Sequence, residues 1–491
     1  MVKYMPYLEW EGLQDNYEIR NISAPNNIAL DQITVSRDDE YNINASLKGV
    51  NLSDNLFEQF HGESEAGQRV KSFELYGLGK ADMNLYTLKD CHLGNISSNY
   101  KEINEDTYIN EFVAELYTFE VEKKRNDSIN DVSSLTEWFI NGPAQSFLYP
   151  RSTKREYTER YILNRGVYPK QIIENEFTSN QSGFDYLLVD LKNFKFIIHN
   201  VPKDIGPTWS NNIGIEYSEE YGGIPDPDIR EAISEIVSFI FGRHLLKVGL
   251  TEFDENNLPL KQTSYNPWGN NVVSKCKRHS LYPVRLNNDK VWGKVEVLLN
   301  EIIPKYLKHR NELNLKDALW SYWVSEDVPT GTNIPILANA LEILKKGWFK
   351  STKSKTQGVY MPKKEFDELL KETYNTLEEL LKGHEYADRI IRRIKGSFNM
   401  GVNESLDFFF HEIGLPIGKI EKKAIKARNS IIHDKHVETD KELEEIIFYS
   451  KVYKTLFHRV FLKLLSYEGD YIDYSIIGYP NKHIDMVTSY E

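Results

Sequence analysis

The chain has 491 residues, 40% of them apolar and 27% charged, which is ordinary globular usage; it sets aside fibrous and disordered classes and leaves room for about three domains. A formal net charge of −13 argues against a surface that coats nucleic acid indiscriminately, but leaves room for a local basic site. Two cysteines far apart in sequence, Cys91 and Cys276, exclude a disulfide framework and point to a reducing, cytoplasmic compartment.

The opening MVKYMPYLEW lacks the apolar stretch of a secretory signal, and no run of about eighteen apolar residues marks a membrane span, so no membrane partner is expected. Cys91-His92 and Cys276-x-x-His279 are isolated pairs without the further ligands of a closed zinc site. No metal and no cofactor are expected.

Residues 1–225 read as β-rich. Val70 to Tyr76, Ile109 to Phe119, Phe184 to Leu191 and Phe194 to Ile198 alternate apolar and polar side chains between clusters of Asn, Asp, Gly and Ser. Paired carboxylates there, Glu174 with Glu176 and Asp226 with Asp228, have no evident chemical partner, and His199 ends an apolar strand as a structural residue. Gly222 to Asp228 is a turn. A helix follows, with Asp228 as its N-cap and Ile229, Ile233, Ile236, Val237 and Ile240 at helical spacing. Residues 226–350 are expected to be mainly helical, with irregular stretches near 252–290 and 325–335. The aromatic residues of Trp320 to Trp323 are expected to be buried packing.

The polar stretch opening at Ser351 is the expected linker, spanning 351–361. Beyond it, residues 362–470 read as a helical bundle. Its apolar stripes are Phe366 to Leu381, then Ile390, Ile391 and Ile394, then Leu406, Phe409, Phe410 and Ile413, then Ala424 to Ile432. A long final helix starts at a Thr439-x-x-Glu442 capping box. Tyrosine-rich residues within 471–491 form a packed tail. The expected class is therefore α+β and multidomain: a β-rich N-terminal domain, a helical middle region and a C-terminal all-α bundle.

Ahead of that last helix stands Lys426-Ala427-Arg428-Asn429-Ser430-Ile431-Ile432-His433-Asp434. RNA carries its own nucleophile, the 2′-hydroxyl. Cleaving it without a metal requires a group that moves a proton near neutral pH, which histidine does, and a fixed cation for the phosphate, which arginine's planar fork supplies. The bland alternative is an arginine in a surface ion pair and a histidine capping a helix C-terminus. Asp434 either orients His433 or is a turn residue, and His436 stands close by.

Arg428-Asn429-x-x-x-His433 in a small C-terminal bundle resembles the signature of HEPN ribonucleases. The layout, with a large N-terminal region ahead, is similar to that of ApeA-like anti-phage defence proteins. The resemblance implies Arg428 and His433 as the catalytic pair, with Asn429 at the turn or the phosphate. It implies a homodimer whose two motifs line one cleft, and products ending in a 2′,3′-cyclic phosphate and a 5′-hydroxyl. It further implies an RNA substrate such as tRNA and abortive infection; because a free RNase would harm its host and the large acidic region ahead shows no chemistry of its own, that region is expected to gate the activity until a phage-derived trigger arrives.

Residues 362–467 carry 19 Lys and Arg against 18 Asp and Glu. Arg389, Arg392, Arg393, Lys395, Lys419, Lys422, Lys423 and Lys426 precede the motif, either as an RNA-steering rim or as a solvated helix face. Two other functions stay open: a non-catalytic bundle that only dimerises or binds, and a carbohydrate-acting β domain with the bundle as accessory.

Overall fold

A computed structural model describes the chain except for residues 1–16, 51–55, 63–64, 69, 105–106, 126–130, 144–150, 164–170, 185, 202–206, 268–271, 280, 287–293, 434–438 and 488–491. The side chains of 27, 100–109, 151–163, 171–184, 294 and 429–433 also lie outside the described set. The protein is mixed α+β and divides into two compact units. One comprises residues 1–226, 243–280 and 290–297, the other 227–242, 281–289 and 298–491.

The first unit is built on antiparallel strands: β1 (Tyr17–Ser23), β2 (Leu30–Arg37), β3 (Ile43–Val50), β4 (Phe73–Gly79), β5 (Leu85–Asn104), β6 (Thr107–Tyr117), β7 (Glu120–Lys124) and β8 (Ser134–Ile140). Strands β9 (Arg151–Leu163) and β10 (Gln171–Phe184) form a separate two-stranded ribbon. Strands β11 (Tyr186–Asp190), β12 (Lys195–Asn200), β13 (Ile213–Ser218), β14 (Leu246–Phe253) and β15 (Pro259–Tyr265) complete the main sheet.

Pairing runs β1-β2-β3-β6-β5-β4 and returns to β1, which closes a six-stranded barrel. Period-two alternation fills it: Ile33 and Val35 on β2, and Ile43, Ala45 and Leu47 on β3, all point inward. On β5 the inward residues change parity, from Tyr86 and Leu88 to Cys91 and Leu93. The ladder register shifts there, and Asp90 has φ +52°, so a bulge supplies the extra residue. Helix α1 (Leu56–His61) adds Leu56 and Phe60 to this core. Its His61 is buried, with Nε2 accepting from the Leu93 backbone N–H (3.1 Å) and Nδ1 therefore donating to the Lys71 carbonyl (2.7 Å).

Strand β7 continues the edge of β5 opposite β4, and from it the sheet extends through β15, β14, β8, β13 and β12 to β11. The expected strands near 70–76, 109–119, 184–191 and 194–198 are thus β4, β6, β11 and β12. His199 is structural: its ring meets Trp138 edge-on at 5.6 Å. Gly214, its partner across the ladder, leaves the space, since a Cβ there would lie 2.4 Å from the imidazole. Both cysteines are buried free thiols.

Two expectations about 226–350 need correction. Helix α2 (Pro227–Ile240) starts one residue before Asp228, which sits in its first turn rather than at its cap, with proline at the position that needs no N–H donor. The helix does not continue towards Leu250. Gly242, with φ +60°, ends it where a Cβ would lie 2.3 Å from the Leu281 carbonyl carbon. The chain then enters the β14–β15 hairpin, so the region is less helical than its composition suggests.

After α3 (Val272–Lys277), which belongs to the first unit, the remaining helices are α4 (Lys294–His309), α5 (Leu315–Asp327), α6 (Asn333–Lys350), α7 (Lys363–Leu369), α8 (Lys371–Leu380), α9 (Ala387–Lys395), α10 (Val402–Glu412), α11 (Lys419–His433) and α12 (Asp440–Leu464). The centre of the helical unit is α12. Tyr322 of α5 stacks on Phe457 at 4.8 Å, and Phe239 of α2 lies 4.5 Å from Phe461. Helix α6 packs on α5, α12, α10 and α11. The helices expected as a middle region and those expected as a separate bundle therefore share one core. Of the aromatic group near Trp320, Tyr322 and Trp323 are buried but Trp320 is 44% exposed, contrary to expectation, because it falls on the outer side of α5.

Helices α7 to α9 differ from their expected stripes. Only Tyr374 is buried, while Leu369 and Leu380 are 69% and 76% exposed. The stretch beginning at Ser351 is held, not loose. Glu412 of α10 accepts from Trp348 Nε1 (2.6 Å), Ser354 Oγ (2.9 Å) and both the backbone N–H (2.9 Å) and hydroxyl (2.8 Å) of Thr356. The tail packs in part: Tyr471 and Tyr474 are buried and β16 (Asp470–Ile472) pairs with β17 (Asn481–His483), whereas Ile477 and Tyr479 are exposed.

Candidate functional site

Helix α11 carries the arginine–histidine motif. Glu421, Ala424, Ile425 and Arg428 repeat at i, i+3, i+4 and i+7, which places them on one stripe. The first three are buried and Arg428 is half-buried. Lys422, Lys423 and Lys426 are exposed.

Three contacts fix this helix. Arg459 of α12 and Glu421 of α11, both fully buried, form an ion pair, and Glu421 also accepts from the Gly418 N–H at 2.7 Å. The same guanidinium donates to the carbonyls of Pro416 (3.0 Å) and Ile484 (3.1 Å). Four residues beyond Glu421, the Ile425 carbonyl accepts from the Tyr453 hydroxyl at 3.4 Å. Burial drives the Tyr453 phenol well above its ordinary range; the positive charge of Arg428 pulls it down, and the negative charge of Glu342 pushes it further up. Arg428 and Glu342 thus each lie within electrostatic reach of Tyr453. Glu342, on α6, pairs with Lys345 at 2.7 Å, and Lys345 donates to Ser405 of α10 at 2.8 Å.

The backbone of His433 closes the same helix, five residues beyond Arg428. On an ideal α-helix five residues correspond to about 140° of rotation and about 7.5 Å of rise. One copy of the helix therefore directs the two positions to different sides. The side chains of Asn429 and His433, and all of Asp434 and His436, lie outside the described residues.

The basic residues expected to flank the motif fall on two helices. Arg392, Arg393 and Lys395 are exposed on α9, which packs on α8, whereas α11 packs on α12 and α6. Lys395 pairs with Glu378 (3.4 Å) and lies 5.1 Å from the centre of the Tyr374 ring; Lys422 is 3.9 Å from Asp407. Lys395 and Lys422 are therefore already beside an acidic side chain.

No protein-family profile, curated protein or solved structure matches the chain. Its chemistry rests on its own residues. Among those described, no cluster of three His, Cys, Asp or Glu side chains has metal-ligand geometry, and no helix is long and apolar enough to cross a membrane. Tyr453, Glu342 and Lys345 were not singled out as site residues in the sequence. Tyr453 reads in the sequence as one more apolar position of the last helix. Only the packing of α6 on α11 gives them significance.

Proposed function

We propose that the protein is a metal-independent endoribonuclease of HEPN type, with Arg428 holding the scissile phosphate and His433 moving the proton of the 2′-hydroxyl. The observation that carries this reading is the pairing of both residue types on one helix that a buried ion pair ties to the core. Arg428 is half-buried on a helix tied to the core at Glu421, which restricts where its charge can lie, and a positioned cation is what stabilising charge on phosphorus requires. The reading includes a homodimer. Because the two positions face different sides of α11, a second copy supplies the complement needed to assemble acid, base and cation around one phosphate. Exposed Lys423 and Lys426 on α11 add local positive potential in a chain that is acidic as a whole. An RNase active at all times would harm the cell that makes it. We therefore assign the β-rich unit a gating role in anti-phage defence, released by a phage-derived trigger.

The test uses the full-length protein, wild type and with His433→Ala or Arg428→Ala, in phage challenge and on total RNA in the presence of EDTA. Wild type is expected to protect and to leave 2′,3′-cyclic phosphate ends, with either substitution lowering cleavage on the order of 100-fold or more. Equal protection by wild type and both variants, with RNA intact, would assign the bundle to binding instead.

A further inference from the structure

Between α6 and α10 the chain makes a closed excursion. The Tyr360 N–H donates to the Phe398 carbonyl at 2.9 Å, the Met400 N–H donates to the Gly358 carbonyl at 3.5 Å, and Val359 bridges Asn399. Entry and exit are pinned side by side, and residues 361–397 carry α7, α8 and α9 out from that stem. Helix α7 packs on α8, and α8 on α9. Tyr374 is the one buried residue of 361–397. Three amphipathic helices that bury one side chain between them leave hydrocarbon facing water, and a patch of that kind marks a contact surface.

The exposed surface is patterned. Thr373, Thr376 and Leu380 repeat at helical spacing on α8, with Leu369 a turn earlier at the end of α7, and all four are exposed. Glu365, Glu368, Glu372 and Glu379 are exposed as well and follow the same spacing, which sets an acidic stripe beside the leucines. On α9, Arg389, Arg392 and Arg393 form an exposed basic stripe on the side opposite Ile390, Ile391 and Ile394. Lys395 is paired with Glu378 at 3.4 Å, but among the described residues neither Arg392 nor Arg393 has an ion-pair partner, and neither have the four glutamates. The signs decide what covers this surface. Residues 361–397 hold eight Lys and Arg and eight Asp and Glu, so the excursion has no net charge with which to draw nucleic acid or an anionic lipid surface. Its exposed stripes are instead segregated, acid along α7 and α8 and base along α9. Opposite signs flanking exposed leucines are complementary to a copy of the same surface turned through a two-fold axis, the condition for an isologous contact.

We propose that α7–α9 is a self-association surface, on which the acidic stripe of each copy meets the arginine stripe of the other around Leu369 and Leu380. Helices of seven, ten and nine residues are about 10, 15 and 14 Å long and about 10 Å wide, so one face of the group offers on the order of 400 Å² per copy. That is the small end of specific interfaces, and it points to a dimer held in the micromolar range. Association through this face needs no ribonuclease activity and uses helices other than α11.

The experiment is sedimentation velocity of the full-length protein over a concentration series at low and high salt, with near-ultraviolet circular dichroism as the check of folding. Wild type is expected to pass from monomer to dimer as concentration rises, and the dimer to weaken as salt screens the stripes. Glu368→Lys, Glu372→Lys and Glu379→Lys together leave both stripes basic; Arg389→Glu, Arg392→Glu and Arg393→Glu together leave both acidic. Each triple variant should self-associate on the order of 100-fold more weakly than wild type. Mixed in equal amounts, the two variants should form a heterodimer of about wild-type affinity, because opposite stripes then face each other at both contacts. Such recovery also shows that neither variant is misfolded. A wild type that stays monomeric throughout overturns the proposal, and if the arginine variant then loses binding to total RNA, the face belongs to RNA. A dimer that survives both reversals unweakened places self-association elsewhere, α11 included, which overturns the proposal and leaves the ribonuclease reading standing. Folded variants that fail to pair when mixed overturn it as well.

Discussion

His458 shows how far a single side chain can depart from its ordinary chemistry. It is fully buried on α12, its Nε2 lies 2.8 Å from the Tyr322 hydroxyl, and the rings of Phe239 and Tyr474 stand at 5.5 and 5.9 Å. Burial, helped by the charge of Lys454, lowers its pKa from 6.5 to about 3. The folded protein therefore keeps the imidazole neutral in a range where an unfolded chain binds a proton. Stability from this group is complete above pH 6.5 and is lost progressively as pH falls from 6.5 towards 3, to a limit on the order of 5 kcal/mol. Replacing both polar partners, Tyr322→Phe with His458→Leu, removes the hydrogen bond and the titration together, and should cost little at pH 7.5. Denaturant midpoints at pH 7.5 and 4.5 check this: the double variant should lose clearly less stability between the two than wild type. Equal losses would mean that other groups set the acid limit.

At the scale of elements, the joint between α11 and α12 is where packing and the proposed chemistry meet. Removing one partner of a buried ion pair leaves an uncompensated charge and costs about 3–5 kcal/mol, whereas replacing both by apolar side chains is often close to neutral. Arg459→Leu should therefore be severely destabilising, and Glu421→Leu combined with it should recover most of the loss. Arg459 also holds the Ile484 carbonyl, so hydrogen exchange should rise in β16 and β17 in both variants, even in the double variant with recovered stability. Unchanged exchange there would mean that Tyr471 and Tyr474 suffice to dock the tail. The same elements show what periodicity reveals and what it hides. The Thr439–Glu442 capping box stands as expected, with the Thr439 N–H 3.1 Å from Glu442 Oε2, because a cap is a local contract between residues three apart. The strands with one face buried were legible for the same reason. Strand β8 was not, since six of its seven residues are buried and no alternation survives. Strand β5 was hidden by its bulge at Asp90, which breaks the period of two. The stripe of Glu421, Ala424, Ile425 and Arg428 mixes charge with hydrocarbon, so its role appears only once Arg459 and Tyr453 are seen beside it.

At the scale of the molecule, the helical unit draws on segments far apart in sequence, and this bears directly on how gating is tested. A fragment beginning at Ser351 would contain α7 to α12, including the whole arginine–histidine motif. It would lack α2, α4, α5 and α6. Phe457, Val460 and Phe461 are fully buried in the full chain, and Phe239, Tyr306 and Tyr322 from the missing helices supply rings against Phe457 and Phe461. Exposing a large apolar side chain forfeits about 1.5–3 kcal/mol, so stripping three of them from one helix face consumes much of the roughly 5–15 kcal/mol that keeps a domain folded. The 351–491 fragment should therefore lack cooperative unfolding and near-ultraviolet circular dichroism, and should bind hydrophobic dyes. A sharp thermal transition in the isolated fragment would refute the shared core. Until that is measured, a harmless fragment says nothing about a clamp, because loss of α12's packing would silence the motif on its own. Substitutions within the β-rich unit that leave 227–242 and 281–491 intact are the informative way to ask whether that unit holds the RNase in check.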